Sequence, residues 1–442
     1  MKTTSLLLLT TTAALAQGPL APTAAPAPTM KTLTQIEPRT PVNSTTCPGD
    51  ASNTFIITTS GSYYLTGNLA GTAGKRGIYI QAPFVTLDLG GFILDGNFKN
   101  GTDAIYSLGG GGNRTAFNGT LANWNGSGIS LIGDAASVEH ITVTNCGQGI
   151  FLSASVTSAS HCVVTTCGQG IVSLVGSSTV SDCAVSTISS GLAGSTVYGI
   201  LGDTVTHCSV KGVSNTNASA GSSGISGKTI SQCTVSDVQS AANYAFGIQG
   251  TTITDCAYDG SISTATAASY YAISGTTVAH CNVANHLFNS SGNFHNGING
   301  GTVTDCTVQH MANSGSGTHV SGIRSTYLAD NSNGSLEACL VKNCNVSGIT
   351  GDGIRCTGNV NLEGNRIGYC TSVGISVYAG IVRNNTTNNC GTAISLTTGL
   401  AVGNTSISDT AGFSLGAAVR SGPLITTGGV STVFDPNSNF KF

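Results

Sequence analysis

One heptapeptide recurs along the chain and limits what it can fold into. It reads "TVSDCAV" at 179–185, "TVTHCSV" at 204–210, "TISQCTV" at 229–235, "TITDCAY" at 252–258, "TVAHCNV" at 277–283 and "TVTDCTV" at 302–308. A second signal keeps step with it, a small residue followed by isoleucine. It occurs at Gly77, Ala104, Gly128, Gly149, Gly170, Gly199, Gly224, Gly247, Ala272, Gly297 and Gly322, then at Gly348 or Gly353, Gly374 and Ala393. From Gly199 to Gly322 the steps are 25, 23, 25, 25 and 25 residues. A period of this length, rich in β-branched residues and poor in helix formers, specifies a β-solenoid whose turns pack only on their neighbours. Leucine-rich repeats share the period, but their Leu-x-x-Leu-x-Leu skeleton is absent.

Aligned on the heptapeptide, one column runs Ile141, Cys162, Cys183, Cys208, Cys233, Cys256, Cys281, Cys306, Cys339, Asn365, Asn385, Asn404. Ile141 shows that the position takes a plain hydrophobe, so the column faces inward, where a free cysteine acts as a small apolar side chain. Inward residues also stand three positions before it, at Val180, Val205, Ile230, Ile253, Val278 and Val303, and two after it, from Val185 to Val308. A step of three breaks strand alternation and requires a tight bend just before the cysteine. The bend residue is His140, His161, Asp182, His207, Gln232, Asp255, His280, Asp305, Ala338, Gly364, Asn384 or Gly403. Ten of these twelve are Gly, Asn, Asp or His, the types that tolerate positive φ, so backbone geometry accounts for His207 beside Cys208 without a metal. No Cys-x-x-Cys pair occurs to build a zinc cluster, and no metal site is assigned. Stacked strands bring cysteines within bridging range, but in-register side chains point in parallel and the total of 15 is odd, so most thiols are expected to be reduced and buried.

The ends differ from this texture. Residues 1–16, with Lys2, "LLLL" at 6–9 and "ALA" ending at Ala16, have the order of a secretory signal peptide. Residues 17–52 read as a Pro/Ala-rich linker and lead-in, 53–410 as the solenoid, and 411–442 as a C-terminal cap and tail in which "STVFDPNSNFKF" shows no coil pattern. The expected location is secreted or cell-surface, as a monomer without a membrane span. With 8% charged residues and a net charge of −3 there is no basic surface for nucleic acid.

The coil pattern, a Gly-Ile strand, a bend and then Val-x-x-Cys/Asn-x-Val, resembles right-handed parallel β-helix proteins of the pectin-lyase-like class. The entry segment "GSYYLTGNL" with "GIYI" and "VTLDLGGFILDG" resembles the first coils of secreted bacterial members. The resemblance implies an all-β, right-handed parallel β-helix of about 14 coils of roughly 19–31 residues. It also implies an asparagine ladder, continued here by Asn365, Asn385 and Asn404. It leaves activity open, because the class includes lyases, hydrolases, epimerases and adhesins.

Three functions follow as alternatives. The first is a secreted carbohydrate-binding or adhesin-like surface protein, with polysaccharide or a cell-surface glycan as partner. The second is a lyase or glycoside hydrolase acting on an acidic polysaccharide, and the third a structural spacer in an envelope. No Asp-Asp, His-Gly or Arg-Ile-Lys of the polygalacturonase type occurs, and no cofactor is assigned; calcium enters only under the lyase alternative. The catalytic candidates are Asp352, Arg355, Glu363 and Arg366, in the charge-richer region 324–383, with Asp352 or Glu363 to hold an ion and Arg355 or Arg366 to act on the sugar. The carbohydrate-binding candidates are Tyr79, Tyr106, Phe151 and Arg324, each directly after a small-Ile pair and so expected to point outward. The segment "SLGGGGNRTAFNGT" at 107–120 reads as a long loop able to cover that strip.

Overall fold

The computed structural model describes residues 37–98, 102–109, 111–191, 194–217, 220–241, 244–260, 269–288, 294–314, 319–325, 339–422, 424–426 and 438–441. The expected leader at 1–16, most of the linker and Ala338 lie outside them. Among the described residues the regular elements are strands, and no helix is long and apolar enough to cross a membrane.

From Thr40 onward the chain winds into a parallel β-helix of about fifteen turns. Each turn lays one strand on each of three stacks. The first stack carries the Gly-Ile pairs, whose isoleucines lie in one register from Ile78 through Ile105, Ile129, Ile150 and Ile171 to Ile200. It continues through Ile225, Ile248, Ile273, Ile298, Ile323, Ile354, Ile375 and Ile394 to Phe413. Of the two glycines the repeat left open, Gly353 therefore belongs to this stack. The second stack carries the valines before the cysteine, Val180 on Val205 on Ile230 on Ile253 on Val278 on Val303. The third carries the residues after it, Val185 on Val210 on Val235 on Tyr258 on Val283 on Val308. All are buried.

Between the second and third stacks the expected bend is present at every described rung, with φ of 51–56° from His140 to Asn384 and 68° and 64° at Gly364 and Gly403. One rung differs from the sequence alignment: Val303 pairs with Val341, not with the residue three before Cys339. Cys344 therefore fills the inward column, with Asn343 (φ 54°) as its bend residue. The long insertion at 326–338 shifts the apparent phase, and Cys339 pairs with Val360 on the strand before the bend.

A second left-handed bend follows the third stack, at Asn123, Asn145, Thr166, Thr187, Gly212, Asp237, Gly260, Asn285, His310, Gly348, Tyr369, Asn389 and Ser408. Directly after it comes another buried column: Trp124, Cys146, Cys167, Ile188, Val213, Val238, His286, Met311, Ile349, Cys370, Cys390 and Asp409. Asp409 is satisfied at the last turn by Thr387 Oγ1 and Ser406 Oγ at 2.7 Å and by the Cys390 amide.

The interior changes chemistry along the axis. All fifteen cysteines are buried free thiols, and within the ladder a thiol donates to a backbone carbonyl, as Cys208 does to Thr206 at 3.2 Å. Burial pushes the Cys356 thiol well above its ordinary value, which keeps it protonated and unreactive. From Asn365 onward amides replace thiols. Asn365 Nδ2 donates to Asn385 Oδ1 at 2.9 Å, Asn385 to Asn404 at 3.1 Å and Asn404 to Asn439 at 3.0 Å. The tail expected to lack a coil pattern thus supplies the fourth rung, and Asn439–Lys441 pairs with Thr405 and Ser406. The segment expected as a covering loop is instead strand over Asn113–Ala122, with Arg114 buried and donating to Gly109, Ala82 and Ile132 carbonyls at 2.8–3.3 Å. Thiol titration of denatured, unreduced protein is expected to count 15 free thiols; a count of one or two would show a bridged ladder.

Candidate functional site

The outward positions of the first stack form two columns that flank the buried Gly-Ile pair. One, directly after isoleucine, runs Leu201, Ser226, Gln249, Ser274, Asn299, Arg324, Arg355. The other, two residues before isoleucine, runs Tyr198, Ser223, Phe246, Tyr271, Asn296, Ser321, Asp352. The second column lines up aromatic rings because identical register on a parallel sheet stacks like on like. Phe246 and Tyr271 stack at 5.2 Å with planes 12° apart, and Tyr244 tilts onto Phe246 at 5.6 Å. These rings, with Tyr198, Ser223 and Gln249, bound a cleft of about 550 Å³.

Toward the C-terminal coils the aromatic edge passes into a basic cluster. Phe294 stacks on His319 at 5.7 Å, and the Arg324 guanidinium lies 4.0 Å above the Phe294 ring. Arg355 pairs in register with Arg324, its Nη1 stands 3.1 Å from His319 Nδ1, and it lies 3.6 Å from Asp352 Oδ2. Asp352 Oδ1 also accepts the Val373 amide at 3.2 Å. Desolvation, followed by the charge of Arg355, holds the Arg324 pKa below its ordinary value, with the Tyr271 hydroxyl opposing that trend. Two guanidinium groups against one carboxylate, 2 − 1, leave an excess positive charge on the groove floor.

Asp352, Arg355 and Arg324 are therefore together. Glu363 and Arg366 are not with them: Glu363 ends a second-stack strand, where Lys342 (3.7 Å) and Arg383 (2.9 Å) surround it. Arg366 opens the third stack against Asn345. Both lie past the turn that separates those stacks from the groove. Tyr79 and Tyr106 form their own patch at the opposite end, with ring centroids 5.8 Å apart and Arg76 4.2 Å over Tyr106. Phe151 is separated from Tyr106 by Ser130 in the same column. The residues that build the cleft, Tyr198, Phe246 and Tyr271, stand two positions before isoleucine, whereas the repeat pattern directs attention to the position after it. Their signal was legible as "VYGI", "AFGI" and "YYAI".

Parallel strands on three stacks, inner ladders and left-handed bends define a parallel β-helix, an architecture that the pectin-lyase-like class fits. No protein-family model matches the chain, and no curated protein matches it. Among solved structures, the chain is similar to the catalytic unit of a thermostable GH87 alpha-1,3-glucanase from Streptomyces thermodiastaticus strain HF3-3. Identity is 12% over 84% of this chain and 63% of that one, with a TM-score of 0.20. The chain thus spans less than two thirds of that neighbour's length, at a similarity too low to bear on activity.

Proposed function

We propose that the protein is an exported carbohydrate-binding protein, adhesin-like in role, which holds a polysaccharide strand along the Gly-Ile face. The observation that carries this reading is the run of outward rings from Tyr198 through Phe246 and Tyr271 to Phe294, ending on Arg324 and Arg355. Sugar rings present an apolar C–H face that packs on aromatic rings, and the polar rim of Gln249 and Ser269 supplies hydrogen bonds. The uncompensated guanidinium favours a uronate or sulfate substituent at that end. Export rests on the leader read at 1–16.

The test is retention on a panel of neutral and acidic polysaccharides at low and moderate salt. Tyr271→Ala and Phe246→Ala should each weaken retention by about tenfold or more, as expected for aromatic anchors. Retention on no member of the panel, or retention unchanged in both variants, would remove the proposal.

An enzymatic reading has one observation of its own, the His319–Arg355 contact beside Asp352. A hydrolase needs two carboxylates about 5–9.5 Å apart, whereas among the described groove residues only Asp352 is a carboxylate. A basic pair suits a lyase, which needs a proton acceptor and positive charge near the uronate. Unsaturated uronate absorbance on the same panel would identify it. Against calcium in the groove stands the engagement of Asp352 by Arg355 and the Val373 amide.

A further inference from the structure

The first bend stacks side chains as well as backbone. At one place along it, two imidazoles occupy consecutive rungs: His140 (φ 51°) and His161 (φ 52°) stack with ring centroids 4.7 Å apart and planes 3° apart. Glu139 stands beside them, with its Oε1 3.7 Å from His140 Nδ1, and the ligand atoms of the three residues all lie within 4.8 Å of one another. We propose that Glu139, His140 and His161 form an exposed binding site for one divalent transition-metal ion of the zinc type.

Left-handed backbone explains why histidine is tolerated at each bend, but it does not explain the carboxylate. Glu139 pairs with Ser160, which pairs with Ser181, and that rank continues as Thr206, Ser231, Thr254, Ala279 and Thr304. Across those coils the rank is uncharged except where it adjoins the double imidazole. The other histidines of this bend have no imidazole on a neighbouring rung: Asp182 and Gln232 stand beside His207, and Asp255 and Asp305 beside His280.

Two imidazole nitrogens and one carboxylate oxygen are borderline donors, which select zinc, nickel or copper over magnesium and calcium. Tetrahedral zinc with bonds of about 2.0–2.1 Å places its ligand atoms about 3.3 Å apart, so the set must close by at most about 1.5 Å. All three side chains are exposed, and rotation about their own torsions supplies that closure, while the strand ladder holds the two Cα–Cβ directions fixed. A fourth position remains open to water or to a donor from outside the chain.

The test is calorimetric titration of the full-length, untagged, metal-free protein with zinc chloride. One saturable site with micromolar affinity is expected. The double variant His140→Asn/His161→Asn keeps residues that accept positive φ and should weaken binding by more than about 30-fold, with circular dichroism and zinc-free melting unchanged. Glu139→Gln, at an exposed strand position, should weaken it by about tenfold and decides the matter if the double variant does not fold. His207→Asn should leave the titration unchanged. No saturable binding up to about 1 mM zinc, or binding unaltered in both the double variant and Glu139→Gln, would overturn the site.

Discussion

Gly247→Ala is expected to destabilise the β-helix by about 3 kcal/mol, at the upper end of what overpacking costs. A Cβ at Gly247 would lie 2.2 Å from Tyr258 Cδ2, 2.4 Å from Tyr258 Cε2 and 2.4 Å from the Ala272 carbonyl. The carbonyl approach recurs at Gly224 and Gly297, at 2.5 and 2.6 Å, and the same column carries alanine at Ala104, Ala272 and Ala393. The ring contact is what distinguishes this coil, because Tyr258 stands where neighbouring coils have Val235 and Val283. Glycine and tyrosine are thus a matched pair across the narrow interior, and packing at crystal-like density leaves the ring nowhere to go. In the double variant Gly247→Ala/Tyr258→Val the cost should fall below the sum of the single changes by about 2 kcal/mol. Denaturant midpoints of the four proteins read this directly; strict additivity would show that the ring and the glycine are independent.

Acidification from pH 7.5 to 4.5 is expected to remove roughly 2–3 kcal/mol of stability through one side chain, His286. It is buried in the column after the second bend, with the Tyr258 ring edge-on at 5.3 Å. Desolvation, with the nearby His295 adding to it, lowers its pKa to about 3. The folded state therefore refuses a proton that the unfolded chain takes up near pH 6.5. The contribution is complete above that value and is lost progressively as pH falls toward about 3. His286→Leu, an apolar residue in a column that holds Val238 and Met311 in other coils, should flatten this dependence. The comparison is the urea midpoint at the two pH values, and an equal drop in both proteins would assign the loss to other groups.

Much of this architecture was legible because two columns obey simple rules. The residue before the ladder cysteine is a left-handed type in nearly every coil, Gln232 being an exception, and every described one has positive φ. Asn365, Asn385 and Asn404 bond as a ladder because each amide can accept from one neighbour and donate to the next. The second bend was not legible. Its residues include Thr166, Thr187, Tyr369 and Ser408, which carry no compositional mark of positive φ, and the inward residue that follows ranges from valine to histidine to aspartate. There the stacked ladder imposes the conformation on whatever residue is present. The groove was legible only in part for a related reason: charge clustering along the chain suggested Glu363 and Arg366 beside Asp352 and Arg355, but one bend is enough to send neighbours in sequence to different faces.

From Gly247 to Gly322 each turn adds the same number of residues and the same single rung, with Ile248, Ile273, Ile298 and Ile323 in unbroken register. Duplicating one 25-residue unit in the gene would therefore insert a turn whose two joints already match, lengthening the outer face by about 4.8 Å. The reach of such a protein along an extended partner is set by copy number, and its lineage can lengthen or shorten that reach without inventing a new side chain.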